Sequence, residues 1–125
     1  MKIIIDLDHT ITAPLAGESY DDASPNLAVI ARLRDYHSQG FEIVIHTARN
    51  MRTYAGNLGK INVNTLPRIL DWLARQDIPY DEIIVGKPWC GHGGFYVDDK
   101  AIRPDEFTAL SLTEIYALVG QDSPQ

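Results

Sequence analysis

Six polar side chains follow short apolar runs: Asp6 and Asp8 after Ile3-Ile4-Ile5, Thr47 after Ile43-Val44-Ile45-His46, Lys87 after Ile83-Ile84-Val85-Gly86, and Asp98 and Asp99 after Gly94-Phe95-Tyr96-Val97. Gathered at one rim, the carboxylates repel one another unless a cation sits among them, because like charges a few ångströms apart resist joint ionisation. Mg2+ suits this inventory: it takes oxygen ligands, keeps several waters and is commonly held by one or two carboxylates plus substrate phosphate. Lys87 and Thr47 add donors for phosphate oxygens. One carboxylate can attack phosphorus to give an aspartyl-phosphate, while a second, two residues along, protonates the leaving oxygen and later activates water. Asp6 and Asp8 have that spacing. A tight turn after Asp6 offers the backbone N–H groups of Leu7 and His9 to the same phosphate.

Such a rim requires parallel strands, since open parallel sheets bind ligands outside the carboxyl ends of their strands. The chain alternates short β-branched runs with helical patterns, which is an α/β arrangement. Ile3-Ile4-Ile5 is a continuous apolar run of the kind found in a central strand buried on both faces. Ser24-Pro25 reads as an N-cap and a first-turn proline, with Leu27, Ile30, Ala31 and Leu33 as the apolar stripe and Gly40 as the stop. A second strand is predicted over 41–45. Leu66, Ile69, Leu70 and Leu73 fall at helical spacing, with Pro67 near the start. Strands over 83–85 and 94–97 follow, and Ser111 with Glu114 three residues later predicts a capping box that opens a last helix through Ile115 and Leu118. Residues 10–24 leave room only for a flap, and one helix uses most of the span from Thr47 to Lys87. The expected fold is a single Rossmann-like three-layer α/β/α domain over residues 1–120 with a mostly parallel sheet, no separate cap domain, and a frayed tail at 121–125.

The 125 residues, 45% hydrophobic and 22% charged, suffice for one globular core. Eleven Lys+Arg against seventeen Asp+Glu give a net charge of −6, which argues against nucleic-acid or membrane binding as the main activity and leaves a small phosphate-bearing molecule as the expected partner. The single cysteine, Cys90, cannot form an internal disulfide, and the apolar run before Asp6 is too short for a signal-peptide core or a membrane span. A cytoplasmic protein is expected. The polar stretch from Arg49 to Asn64 reads as a substrate-contacting loop, with Arg49 and Asn50, just past Thr47, as candidate substrate contacts. Trp72 and Trp89 read as packing residues rather than stacking platforms.

In their order, Asp6-Leu7-Asp8-His9-Thr10, the strand-end Thr47, Gly86-Lys87-Pro88 and Tyr96-Val97-Asp98-Asp99 resemble the four motifs of the haloacid dehalogenase superfamily. The resemblance implies that Asp6 is the nucleophile and a metal ligand. It implies that Asp8 is the acid/base, with its backbone carbonyl on Mg2+, that Thr47 and Lys87 bind the phosphoryl group, and that Asp98 and Asp99 hold the metal. Superfamily members with Asp at the place of Asp8 are typically phosphatases or phosphomutases; P-type ATPases usually carry Thr there, and dehalogenases lack the second Asp. His9 stands where many members have Gly. Without room for a cap, the chain is similar to the small capless branch, whose members act on macromolecular phosphates or complete a closed site through oligomerisation, so a homo-oligomer is compatible with it. Residues 46–54 and 86–92 resemble phosphatases of capsule and surface-polysaccharide biosynthesis, which implies a small sugar or polyol phosphate as substrate.

Two other classes share part of this pattern. A signalling receiver domain has similar Mg2+ chemistry and a Lys-Pro after a strand, but it resembles an acidic pair, then a phosphoacceptor Asp, then Thr or Ser, then Lys-Pro; here Thr47 precedes any middle acceptor and a second acid pair follows Lys87. A catalytically idle binding protein that retains the fold would carry a broken motif, and none is broken. Phosphomutase chemistry is the remaining variant; a capless site open to water favours hydrolysis.

Overall fold

A computed structural model describes residues 1–14 and 19–120, and the chain forms two compact units, Met1–Trp89 and Cys90–Gln125. The expected tail at 121–125 and residues 15–18 of the expected flap lie outside the described residues.

The first unit runs β1 (Lys2–Ile5), α1 (Leu27–Ser38), β2 (Glu42–Thr47), α2 (Leu58–Asn64), α3 (Leu66–Arg75) and β3 (Glu82–Val85). It is α/β, with a three-stranded sheet in the order β1-β2-β3 and both pairs parallel, Ile5 level with Ile45 and Thr47 with Val85. Both crossovers step in the same direction, so right-handed connections put their helices on one face. Burial agrees: Ile5, Ile43, Ile45 and Thr47 point to the covered face and are buried, whereas Ile4 and Ile84 on the other face are 66% and 47% exposed. Leu33, Ile69, Trp72 and Leu73 supply the helical side of the core. Trp72 donates its indole N–H to the Ala23 carbonyl at 2.9 Å, which satisfies its one polar atom and makes it the packing residue expected.

Two helix boundaries differ from the sequence expectation. Asn26, not Ser24, caps α1, its Oδ1 accepting the Val29 N–H at 3.4 Å. The reason is a local backbone commitment: Thr12 and Pro25 form an antiparallel bridge, the Ser24 carbonyl accepts from Ala13 at 2.7 Å, and Asn26 N–H donates to the Ile11 carbonyl at 2.8 Å. The helix can start only after those bonds are made. Gly40 follows α1 at φ +95°, a left-handed turn that glycine adopts without a Cβ penalty. The second difference is α2, inside what reads as a polar loop. Asn57 caps it by accepting the Lys60 N–H at 3.1 Å, and Ile61 is its buried residue.

The second unit contains α4 (Pro104–Ala109) and α5 (Leu112–Leu118). Arg103-Pro104 starts α4, because proline fits the first helical position and Glu106 Oε1 accepts the Arg103 N–H at 2.8 Å. The capping box is present as predicted: Ser111 Oγ accepts from Glu114 N–H at 3.2 Å and Glu114 Oε1 from Ser111 N–H at 3.0 Å. Residues 94–97 do not form the expected fourth strand; they lie outside any regular element, with Phe95 80% and Val97 87% exposed. A β-rich run becomes a strand only against a neighbour, so local composition alone does not decide it. Among the described residues of both units no helix is long and apolar enough to cross a membrane.

Candidate active site at the strand ends

Asp6 leaves the end of β1, Thr47 closes β2, and Lys87 lies two residues beyond β3. The Lys87 N–H donates to the Thr47 carbonyl at 3.1 Å, extending the β2–β3 pairing past the last strand residue and fixing where the lysine departs. Gly86, just before it, has φ +89°, a left-handed turn that favours glycine, and the Leu58 side chain of α2 packs over its bare Cα. Lys87 Nζ lies 3.7 Å from Asp6 Oδ1, and Thr10 Oγ1 donates to Asp6 Oδ2 at 3.4 Å. Burial pushes the Asp6 carboxyl above its ordinary value and the Asp8 charge adds to that, against Lys87, the Leu7 N–H and Thr10, which pull it down.

Beyond Asp6 the chain makes a wide turn over Leu7–Ile11, anchored by the buried Leu7 and Ile11. His9 sits at φ +61°, ψ 18°, the left-handed region that costs a non-glycine residue roughly 1–2 kcal/mol. Its N–H donates to Thr12 Oγ1 at 3.0 Å, so the expected phosphate donor is spent within the turn. The Leu7 N–H likewise supports the Asp6 carboxylate. The Lys87 ammonium is the donor at this rim, while the buried Thr47 hydroxyl accepts the Arg49 N–H.

Asp8 is held by Arg49. The guanidinium donates Nε–H to Asp8 Oδ2 at 3.1 Å and Nη2–H to Oδ1 at 2.7 Å, a two-pronged pair made at a residue only 5% exposed. Tyr20 covers the same guanidinium, its ring centroid 4.3 Å from Cζ, and the Arg49 N–H donates to Thr47 Oγ1 at 3.1 Å. Sequence reading nominates Arg49 as a substrate contact; in the structure its side chain is engaged with Asp8. Asn50 also turns inward, accepting from Thr65 Oγ1 at 2.7 Å and donating to Thr53 Oγ1 at 3.2 Å, so it ties the loop to the start of α3. Sequence reading misses Tyr20, which carries no local signal, and Thr10, which stands four residues after Asp6 in the first motif.

Asp98 and Asp99 belong to the second unit; both are exposed, and Asp98 Oδ1 accepts the Lys100 N–H at 2.9 Å in a turn. Among the described residues no group of three His, Cys, Asp or Glu forms a metal-ion set. The donor chemistry of the first unit nonetheless fits Mg2+. Asp6 offers a carboxylate whose ionisation burial opposes and a cation would favour. Both Asp8 side-chain oxygens accept from Arg49, and backbone carbonyls are among the oxygen ligands such a cation takes. His46, beside Thr47, is kept below the ordinary histidine value by burial and by Lys87, against the pull of Asp6; a neutral imidazole leaves the rim's charge to Asp6, Asp8, Lys87 and Arg49. A shallow groove of about 290 Å³ lined by Arg34, His37, Ser38, Asp77, Ile78 and Pro79 lies toward the amino ends of the strands and holds none of these groups.

No protein-family model and no curated protein matches the chain. A solved structure does: the crystal structure of a structural-genomics target from Vibrio cholerae is 58% identical, with 95% of this chain and 96% of that one covered and a TM-score of 0.92. At that identity and coverage the chain belongs to the family of this Vibrio cholerae protein.

Proposed function

We propose that the protein is a Mg2+-dependent phosphomonoester hydrolase with a haloacid-dehalogenase-type core that works through an aspartyl-phosphate. The observation that carries this reading is Lys87 Nζ at 3.7 Å from Asp6 Oδ1, with Asp8 and Thr47 at the same strand ends. A carboxylate nucleophile beside an ammonium is the arrangement phosphoryl transfer needs: the lysine draws the phosphoryl oxygens toward the attacking oxygen and neutralises their charge.

Asp6 attacks phosphorus and forms the Asp6 O–P bond as the ester P–O bond breaks; Asp8, which enters the cycle with a proton taken up from solvent, gives it to the leaving alkoxide and is left as the carboxylate that Arg49 grips. Asp8, now a carboxylate, takes a proton from water, which attacks the aspartyl-phosphate and releases phosphate from Asp6. Arg49 keeps the Asp8 carboxyl in one orientation through both halves. When bound by Asp6, the Asp8 carbonyl and the acids Asp98 and Asp99, Mg2+ would supply further neutralisation of phosphoryl charge. A small sugar or polyol phosphate of surface-polysaccharide biosynthesis is the leading substrate class, on the resemblance of residues 46–54 and 86–92.

Phosphate release from a panel of sugar phosphates, nucleotides and a chromogenic ester, with Mg2+ or EDTA, tests the reading. Mg2+-dependent release by the wild type and none by Asp6→Asn is expected; release that survives Asp6→Asn rejects the mechanism. A receiver-like acceptor predicts labelling from acetyl phosphate without turnover of monoesters, and an idle binding protein predicts neither.

A further inference from the structure

β1 has the wrong composition for its position. Ile3-Ile4-Ile5 is a central-strand sequence, yet β1 is an edge of the sheet, with its outer backbone groups facing no strand and no proline or bulge to blunt it. On the other face Val44 is buried, but Ile4 and Ile84 on either side of it are exposed, rimmed by the Lys2 ion pairs to Glu42 at 3.9 Å and Glu82 at 4.0 Å. Parallel sheets rarely leave an apolar face bare.

The second unit has the converse deficit. Phe107 is its one buried hydrophobic residue among those described, and none of the residues of α5 is buried although Leu112, Ile115 and Leu118 stand at helical spacing. A unit of under about 40 residues needs a disulfide, a metal or a partner to be stable, and Cys90 has no second cysteine to pair with. Residues 94–97, which belong to no regular element, have the β-rich composition of a strand, expose Phe95 and Val97 and lead into Asp98, as β1 leads into Asp6.

We infer that residues 94–97 of a second copy of this chain add to β1 as a fourth parallel strand, that α5 of that copy covers the Ile4–Ile84 face, and that Asp98 and Asp99 thereby reach Asp6. The lengths match: Ile3 opposite Phe95 and Ile5 opposite Val97 put Asp6 opposite Asp98, all at the carboxyl ends, and Phe95 and Val97 on the face where Ile5 is buried. Each copy carries both surfaces, so the exchange is reciprocal and closes a two-fold dimer. Residues 91–94, with glycine at three of four positions, give the connection conformational latitude. The acid-supplying part of this inference rests on the phosphatase reading; the pairing does not.

Three measurements test it. Light scattering of the unmodified protein is expected to give twice the 14.0 kDa of one chain, and a monomer at tens of micromolar overturns the inference. In a Cys90→Ser background, Ile4→Cys with Tyr96→Cys and a short bismaleimide is expected to give a covalent dimer; an intramolecular link, or none, overturns it. Co-refolding Asp6→Asn with an Asp98→Asn/Asp99→Asn variant is expected to recover about a quarter of wild-type phosphate release, since half the reassorted dimers carry one intact site of two. No recovery from an active wild type overturns the shared site. A wild type that releases no phosphate fails the phosphatase reading instead, and the cross-link then decides the pairing by itself.

Discussion

Arg49 grips Asp8 across 41 residues of sequence with two hydrogen bonds of 2.7 and 3.1 Å, and the arginine end of the pair is almost wholly buried. Removing one partner of such a pair leaves the other charge unpaired, at about 3–5 kcal/mol. Asp8→Ala therefore destabilises the unit, and loss of activity in it reports folding as well as chemistry. Asp8→Asn keeps an acceptor oxygen for the guanidinium. It is expected to form the aspartyl-phosphate and to hydrolyse it at least about a hundredfold more slowly. Acid-quench labelling with 32P-acetyl phosphate, whose leaving group needs no proton from Asp8, checks this, and a phosphoenzyme that never accumulates removes Asp8 from the water-activating role.

The same pair predicts how Arg49→Ala behaves. A positioning residue that touches Asp8 and not substrate lowers kcat with little change in KM, by about a hundredfold if Asp8 shifts by an ångström. Arg49→Lys recovers little of it, because an ammonium cannot reproduce the planar fork. Steady-state kinetics on the best substrate of the panel separates the roles: a KM that rises while kcat holds would make Arg49 the substrate contact that its position after Thr47 suggests.

Much of this arrangement is legible in the sequence, and what is not has a common physical reason. Asp6, Thr47 and Lys87 are readable because each ends an apolar run, and a parallel sheet brings such ends together. The capping box at Ser111 is readable because its bonds span three residues. By contrast, the partner of Arg49 is 41 residues away, the cap of α1 is decided by a bridge between Thr12 and Pro25, and α2 shows no apolar stripe because only Ile61 is buried. Residues 94–97 have the propensity of a strand, but a ladder needs a partner that a four-residue window does not contain.

Asp6→Asn is expected to cost about a thousandfold or more in turnover while stabilising the metal-free fold at neutral pH. Burial raises the Asp6 carboxyl above its unfolded value, so the unfolded chain gives up this proton first as pH rises. Stability is then lost as pH rises from the unfolded value through the folded one, and above the folded value the whole loss is present. Asparagine has no charge to desolvate. Thermal unfolding in EDTA is expected to show a higher midpoint for the variant at pH 7; an unchanged or lower midpoint contradicts the buried, unfavourable carboxylate.

Asn50→Ala tests the loop anchor. Asn50 sits at φ +61°, where asparagine is tolerated better than alanine, and it accepts from the hydroxyl of the buried Thr65 at 2.7 Å. Loss of the bond and of the favoured backbone together predict a destabilisation of about 2–3 kcal/mol, read from urea midpoints. Asn50→Gly, which restores the backbone but not the bond, is expected to recover part of it; equal losses in the two variants would assign the whole cost to the hydrogen bond.

His46 gives the opposite pH sign to Asp6. Burial and the neighbouring Lys87 hold its imidazole below the ordinary 6.5 against the pull of Asp6, so as pH falls the unfolded chain takes up this proton first. The contribution to stability is complete above about pH 6.5 and is lost as the pH drops from there toward the folded value. His46→Gln removes that loss while keeping a polar side chain of similar reach on β2. Urea midpoints at pH 7.5 and 5.5 are expected to fall less between the two conditions for the variant than for the wild type. Asp6 titrates in both proteins and cancels in the comparison as long as its own value does not depend on His46, which Asp6→Asn/His46→Gln checks. Identical pH dependence in wild type and His46→Gln would mean that the imidazole protonates as freely in the folded protein as in the unfolded chain.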